Sequence, residues 1–137
     1  MHQSLTIIGN LGKDPEMRYL PSGSAVTNFS VATSRTWKVD DEKKEETVWF
    51  RVAVWGKQAE TCNKYLKKGS KVFCDGRLTI DQETGGPRVW EDGDGNWRAS
   101  YEMSAFKVLF LSPNGTNNES GEQNGSSQTL EEQEIPF

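Results

Sequence analysis

Residues 47–55, TVWFRVAVW, alternate between two kinds of side chain and predict the strongest β-strand of the chain. Successive side chains of a strand point to opposite faces of the sheet. One face is apolar and typical of a hydrophobic core, with Val48, Phe50, Val52 and Val54. The other face carries Trp49, Arg51, Ala53 and Trp55. Two indoles that flank a guanidinium are unusual for a core and indicate a binding surface.

The segments around this strand are also predicted to be mostly extended. Predicted strands lie at residues 4–12, 25–34, 71–80 and 87–90, and a last long strand at 97–111. Two prolines in residues 13–23 predict turns, and the charged residues 36–47 predict a flexible hairpin loop. Residues 56–69 instead place Ala59, Cys62 and Leu66 at helical spacing. The pattern therefore predicts an all-β fold with one short helix.

Charge divides the chain into a near-neutral body and an acidic tail. All 16 Lys and Arg lie before residue 112, with 15 of the 20 Asp and Glu, so residues 1–111 carry +1 and residues 112–137 carry −5. Residues 112–129 contain no aliphatic or aromatic side chain and predict a disordered polar linker. We therefore expect a folded domain at 1–111, this linker, and an acidic tip at 130–137.

Several classes of function find no support in the residues. His2 is the only histidine, so neither a zinc site nor a histidine-dependent catalytic triad can be built. No phosphate-binding loop motif occurs, and we expect no enzymatic activity, no metal and no cofactor. Cys62 and Cys74 fit a reducing compartment, as small buried apolar groups.

The chain shows no membrane or export signal. No stretch approaches the roughly 18 apolar residues that a membrane span needs. The N-terminal residues MHQSLTIIGN contain no basic region and no long apolar run, so we expect no signal peptide. We therefore expect a cytoplasmic protein without a membrane partner.

The tryptophans favour binding to single-stranded nucleic acid. An unpaired base that stacks on an aromatic ring contributes about 1–3 kcal/mol whatever its identity. Trp37 and Trp90 are also expected to be exposed, since one precedes the charged segment and the other lies between turn signals. Candidate phosphate contacts are Arg51 and Lys57, with Arg18 and Arg88 as further candidates.

An alternative reading makes Trp49 and Trp55 part of a second core or of an oligomer interface. For Trp97 we expect packing either in the core or on a hairpin. Packing of this kind would cover the indole rings and leave them little accessible to a ligand.

Three blocks of sequence resemble the bacterial single-stranded DNA-binding protein family. They are IGNLGKDPEMRYLPSGSAVTNFSVATSRTW at 8–37, EETVWFRVAVWGKQAETCNKYLKKGSKVFCDGRL at 45–78, and the final IPF at 135–137. The resemblance implies an OB fold, a five-stranded Greek-key barrel capped by a helix. It also implies a homotetramer around which single-stranded DNA wraps.

The resemblance also implies roles for individual residues. The family's stacking aromatics map onto Trp37, Trp49, Trp55 and Trp90. Its basic residues that contact the DNA backbone map onto Arg51, Lys57, Arg18, Lys67, Lys68 and Lys71. Trp55 stands where many members carry Phe, which preserves stacking. Phe50 stands where many carry His at a position linked to subunit contacts, and this leaves the stability of the tetramer open.

The last residues, EEQEIPF, have a role in the family as a docking peptide for replication, repair and recombination enzymes. An apolar plug and acidic flanks suit a basic pocket, and the predicted docking residues are Glu131, Glu132, Glu134, Ile135, Pro136 and Phe137. The alternative is a frayed C-terminus without function.

Two further functions stay open besides single-stranded DNA binding. One is another kind of OB-fold protein, either a primosome accessory module or an RNA-binding protein. The other is a module that binds only proteins. Nucleic-acid titrations separate the three, because the last would show no response to any nucleic acid.

Overall fold

The computed structural model describes residues 1–112, which form eight strands and one helix. These elements are β1 (Leu5–Leu11), β2 (Glu16–Tyr19), β3 (Ala25–Val39), β4 (Glu42–Trp55), α1 (Lys57–Tyr65), β5 (Lys71–Leu78), β6 (Val89–Glu91), β7 (Trp97–Ala99) and β8 (Tyr101–Phe110). The predicted acidic tip, and the predicted linker beyond Ser112, lie outside the described residues.

Five strands close into a barrel in the order β1-β5-β8-β4-β3, and β3 returns to β1. The closing contact is short and pairs Asn10 with Ala32 and Leu11 with Val31. The other neighbours are antiparallel except β4 and β8, which run parallel. β2 pairs with the start of β3. This closed five-stranded barrel with a single helix confirms the predicted OB fold.

The barrel interior is filled by the apolar face that the sequence predicts. Val52 and Val54 of β4 are buried, and they join residues from every other barrel strand in one core. The helix α1 packs against β2, β3 and β4 and contributes Cys62 to this core. The buried Thr27 hydroxyl donates a 2.7 Å hydrogen bond to the carbonyl oxygen of Ala59, so β3 is tied to α1 without an unpaired polar group.

Residues 36–47 form a hairpin as predicted, but the predicted flexible loop is wrong. β3 and β4 pair without interruption from Val26–Trp55 to Val39–Glu42, and the turn consists of Asp40 and Asp41. Their φ angles of 52° and 67° are left-handed, a conformation that Asp tolerates and that a tight hairpin turn requires. Residues 34–47, all exposed, extend beyond the barrel, and we call them the β3–β4 arm.

The last predicted strand, residues 97–111, is divided at Ser100 into β7 and β8. β7 pairs only with β6 in a separate two-stranded sheet, whereas β8 belongs to the barrel. The chain passes from the small sheet to the barrel at this point, so the two segments form separate strands. We call the small sheet, residues 89–99, the β6–β7 arm. β2 was also missed, because the two prolines nearby favoured turns.

The helix α1 has nine residues. Within residues 1–112, no helix combines the length and the apolar character needed to cross a membrane. Over the same residues, no three His, Cys, Asp or Glu side chains form a cluster that could hold a metal ion.

Candidate nucleic-acid interface

The outer face of β4 presents two indoles and a guanidinium in one row. Trp49 and Trp55 are 52% and 48% exposed, and Arg51 between them is exposed as well. Two of their neighbours across the β3–β4 ladder are small, Ala32 opposite Trp49 and Ser30 opposite Arg51, and the buried Val26 lies opposite Trp55. The large side chains therefore stand above the sheet surface and are accessible to a ligand, contrary to a second core in the isolated chain.

A groove of about 380 Å³ runs beside Trp55. Three arginines predicted from the sequence, Arg18, Arg51 and Arg88, line it together with this indole. The Trp55 Nε1 group donates a 3.2 Å hydrogen bond to the Ser104 hydroxyl on β8, which orients the ring. Residues far apart in the chain thus form one basic groove with an aromatic wall.

A second groove of about 320 Å³ lies on the other side of Arg51, next to Lys13. Asn28 and Arg51 line both grooves, so these two residues stand between them. Lys13, Asn28 and Ser30 were not predicted as site residues. The alternation of polar Asn28 and Ser30 with apolar residues on β3 was a signal that could have identified two of them.

The Trp49 indole lies directly against the backbone of Gly12, just after β1. A Cβ atom added at Gly12 would come within 2.5 Å of Trp49 Cζ3, closer than any normal van der Waals contact. Glycine is therefore required for the ring to adopt this position. The outer edge of the six-membered ring, at Cζ3 and Cη2, lies against the chain, and half of the side chain stays open to solvent.

The other tryptophans lie on the two arms. Trp37 is exposed on the β3–β4 arm, as predicted. Trp90 on the β6–β7 arm is partly buried and not exposed as predicted, since the Arg88 guanidinium covers its ring. Trp97 lies on β7 of the β6–β7 hairpin and is 70% exposed, so of its two predicted places the core is wrong. The four predicted stacking residues are thus distributed between the barrel wall and both arms.

A model of the single-strand binding protein family matches residues 2–111, nearly all of the described chain. The chain belongs to the single-strand binding protein family. A solved family structure, a Plasmodium falciparum SSB in complex with ssDNA, is similar to this chain, with a TM-score of 0.66 and 26% sequence identity. The similarity covers 82% of this chain and 97% of that one.

The predicted lysines of this family member occupy separate positions. Lys67, Lys68 and Lys71 line a groove of about 250 Å³ with Tyr65 and Phe110, and no tryptophan is among its lining residues. Lys57 is the first residue of α1, two positions after Trp55. The structure therefore groups three predicted arginines with Trp55 but places three of the lysines elsewhere.

The groups with shifted pKa values lie outside the three grooves. Burial raises the pKa of the Cys62 thiol to about 11 and that of Cys74 to about 12. Both cysteines are free and buried, as predicted, so their thiols stay protonated at neutral pH. A hydrogen bond from Arg98 lowers the pKa of Asp92 in the β6–β7 turn.

Proposed function

We propose that the protein binds single-stranded DNA without sequence preference. In this proposal, bases stack on the indoles of Trp37, Trp49, Trp55 and Trp90. Phosphates are neutralised by Arg18, Arg51, Lys57 and Arg88, with Lys67, Lys68 and Lys71 on a further part of the path. The observation that carries the proposal is the groove in which Arg18, Arg51 and Arg88 meet the exposed ring of Trp55.

The geometry favours unpaired bases over a duplex. Trp49 and Trp55 expose their rings on one sheet face, and only a base freed from its pair can place its π-face against such a ring. Stacking does not read base identity, which agrees with a sequence-independent protein. The similar Plasmodium structure contains single-stranded DNA and supports the same ligand class.

Titration with homopolymers tests this proposal. Poly(dT) should quench the tryptophan fluorescence tightly and more weakly as salt increases, because counterions are released when phosphates bind. A duplex of the same length should quench little. Preference for a structured RNA would instead favour the accessory or RNA-binding OB proteins, and no quenching by any nucleic acid would favour a protein-binding module.

We also propose that the protein acts as a homotetramer. An apolar row crosses the outer face of the barrel, because Ile8 pairs with Phe73 and Phe73 with Leu109. Ile8 and Leu109 are exposed in the single chain, and such a row suits contact with another copy. Phe50, at the position where many members carry His, is an apolar ring whose centroid lies 5.9 Å from that of Tyr101.

Sedimentation with and without oligo(dT) of graded length measures the number of subunits and the length of DNA that they wrap. A mass of four chains is expected for the free protein. Leu109→Glu should reduce this mass, since it places a charge in the apolar row. A monomeric wild-type protein would refute the tetramer while leaving DNA binding to be judged by the titration.

For the acidic tip we propose docking of replication, repair and recombination enzymes. The proposal rests on the sequence, in which Ile135, Pro136 and Phe137 follow three glutamates. Deletion of these three residues should abolish recovery of such enzymes in pull-downs and leave oligo(dT) affinity nearly unchanged. Undiminished recovery would show that the tip is not the docking peptide.

A further inference from the structure

Two of the three arm tryptophans, Trp37 and Trp90, share a local arrangement that the barrel tryptophans lack. Each is preceded two residues earlier by arginine, as Arg35-Thr36-Trp37 and as Arg88-Val89-Trp90. Residues i and i+2 of a strand point to the same face. Accordingly, the Arg35 guanidinium lies 4.6 Å from the Trp37 ring centroid, and that of Arg88 lies 5.5 Å from the Trp90 ring centroid.

Each of these arginines is held in turn by a glutamate. Arg35 Nε donates to Glu46 Oε2 at 2.7 Å across the β3–β4 ladder, where the two residues are direct partners. Arg88 Nη2 donates to Glu102 Oε2 at 2.7 Å, and the Ser100 hydroxyl donates to the same oxygen at 2.8 Å. The order glutamate, arginine, indole thus occurs twice, at two unrelated places in the chain.

Carboxylates at these places oppose the attraction of an anionic ligand. Glu102 lines the groove beside Trp55, and its side chain is only 13% exposed. A gain in folding stability does not account for the Arg35–Glu46 pair, because the side chains of these residues are 68% and 47% exposed. Ion pairs as exposed as this contribute about 0–1 kcal/mol to folding. The recurrence of a glutamate–arginine pair next to an indole ring therefore needs another explanation.

We propose that Glu46 and Glu102 are positioning residues for base stacking. Each carboxylate fixes an arginine against one face of an indole, and the opposite face is left for an unpaired base. This inference rests on the proposed binding of single-stranded DNA and adds two acidic residues to its machinery, together with Arg35.

The physical gain is pre-organisation. A guanidinium over an indole is attracted by the electron-rich ring face and restricts the rotation of the ring. A ring that is already fixed loses less entropy when a base stacks on it, so binding is tighter. The glutamate offsets part of the arginine's charge, so Arg88 attracts a phosphate less strongly than Arg51, which has no ion pair within residues 1–112.

A matched pair of variants separates positioning from simple charge effects. Glu46→Gln and Glu42→Gln remove the same charge from the same arm, but Glu42 contacts Lys44 at 3.4 Å and not Arg35. If charge alone matters, both variants bind oligo(dT) equally or more tightly. Positioning predicts that Glu46→Gln binds about three- to tenfold more weakly, a part of one stacking contribution, while Glu42→Gln does not weaken binding.

The second site is tested with the charge retained. Arg88→Lys preserves the positive charge but loses the planar group that covers Trp90, and we expect binding weakened by about three- to tenfold. Glu102→Gln should weaken binding in the same direction, despite making the groove more positive. In a Trp90→Ala background neither substitution should weaken binding further, because the ring that they position is gone. Tighter binding by Glu102→Gln, or equal losses in both backgrounds, would overturn the proposal.

A measurement without DNA shows whether the rings themselves respond. Fluorotryptophan incorporated into the full chain gives fluorine NMR signals that single Trp→Phe variants assign. Glu46→Gln should shift the Trp37 signal and Glu102→Gln that of Trp90, whereas Glu42→Gln should shift neither. Unshifted signals contradict the inference. Failure of the wild type to bind oligo(dT) would refute the proposed function instead, so the two failures are distinguishable.

Discussion

The barrel and the arms hold their tryptophans by different means. On the barrel wall, Trp49 lies on the backbone of Gly12 and Trp55 donates a hydrogen bond to Ser104. On the arms, Trp37 and Trp90 each face an arginine that a glutamate holds. The wall offers a packed backbone against which a ring can rest. An arm of two strands has no core behind it, so charged side chains supply the support.

This difference determines whether a substitution in the binding surface also affects the stability of the fold. A change on the barrel wall lies next to the core and can affect folding, whereas residues 34–47 are exposed and contribute little to packing. The barrel and the arms should therefore respond differently to substitution. The following predictions test this difference, beginning with the largest expected effect.

Truncation in the barrel core should cost far more stability than truncation on an arm. Met103 is 1% exposed in the core cluster, and Met103→Ala should lower the free energy of unfolding by about 2–5 kcal/mol. Trp37→Ala should change it by less than about 0.5 kcal/mol, since the arm has no core. Urea denaturation of both variants measures this, and similar losses would show that the arm is part of the cooperative fold.

Loss of either wall indole should weaken DNA binding with the fold intact. Trp49→Ala and Trp55→Ala should each cost about 1–3 kcal/mol per stacked base. Fluorescence anisotropy of a labelled oligo(dT) provides the affinities. Trp97→Ala serves as the control, because this ring is more exposed than either but has no assigned role. An equal loss in the control would mean that exposure alone, not position on the wall, decides binding.

A methyl group against the edge of the Trp49 ring should weaken binding through that ring alone. Gly12→Ala places a Cβ where the indole now lies, and we expect a loss of about 0.5–2 kcal/mol in oligo(dT) binding. The loss should vanish in a Trp49→Ala background. Gly93→Ala is the matched control, because its added Cβ would meet nothing within 4 Å. A loss that persists without Trp49 would place the effect of Gly12 elsewhere.

The buried thiols should be silent near neutral pH and matter only in alkali. Burial raises their pKa values from 9.0 to about 11 and about 12, so the unfolded chain loses these protons first as the pH increases. Stability should be unaffected by the thiols below about pH 9 and should fall above it. Urea midpoints at about pH 8 and pH 10 measure the fall, which a Cys62→Ala, Cys74→Ala double variant should reduce. An equal fall in that variant would assign it to other groups.

The barrel and its exposed face could be predicted because their sequence signals are local. Alternation in residues 47–55 identifies Val52 and Val54 as buried and Trp49 and Trp55 as exposed, and the structure agrees. Helical spacing of Ala59 and Cys62 identified the helix and its buried face in the same way. Such patterns need only neighbouring residues to be read.

The hairpin of the β6–β7 arm could be predicted from its turn signals, but the regular β3–β4 arm and the ion pairs of both arms could not, because they depend on which residues meet across strands. Charged residues 36–47 hide a regular ladder, since neither face of it is buried and no apolar alternation is needed. The contact between Arg88 and Glu102 joins the residue just before β6 to β8, and these two strands lie in different sheets. The repeated Arg-x-Trp spacing is visible in the sequence. The glutamates that bind these arginines could be identified only from the arrangement of the strands.

The position of β8 has a consequence for how the protein is made. This strand, the last of the barrel, lies between β4 and β5, and its parallel pairing joins Phe50 to Tyr101. During synthesis on the ribosome, all earlier strands emerge before the one that joins them. The nascent chain therefore exposes open strand edges until Phe110 has left the tunnel, and such edges favour aggregation. Folding must follow translation of the whole barrel, so a chain terminated before this strand should be degraded or aggregate instead of forming a smaller domain.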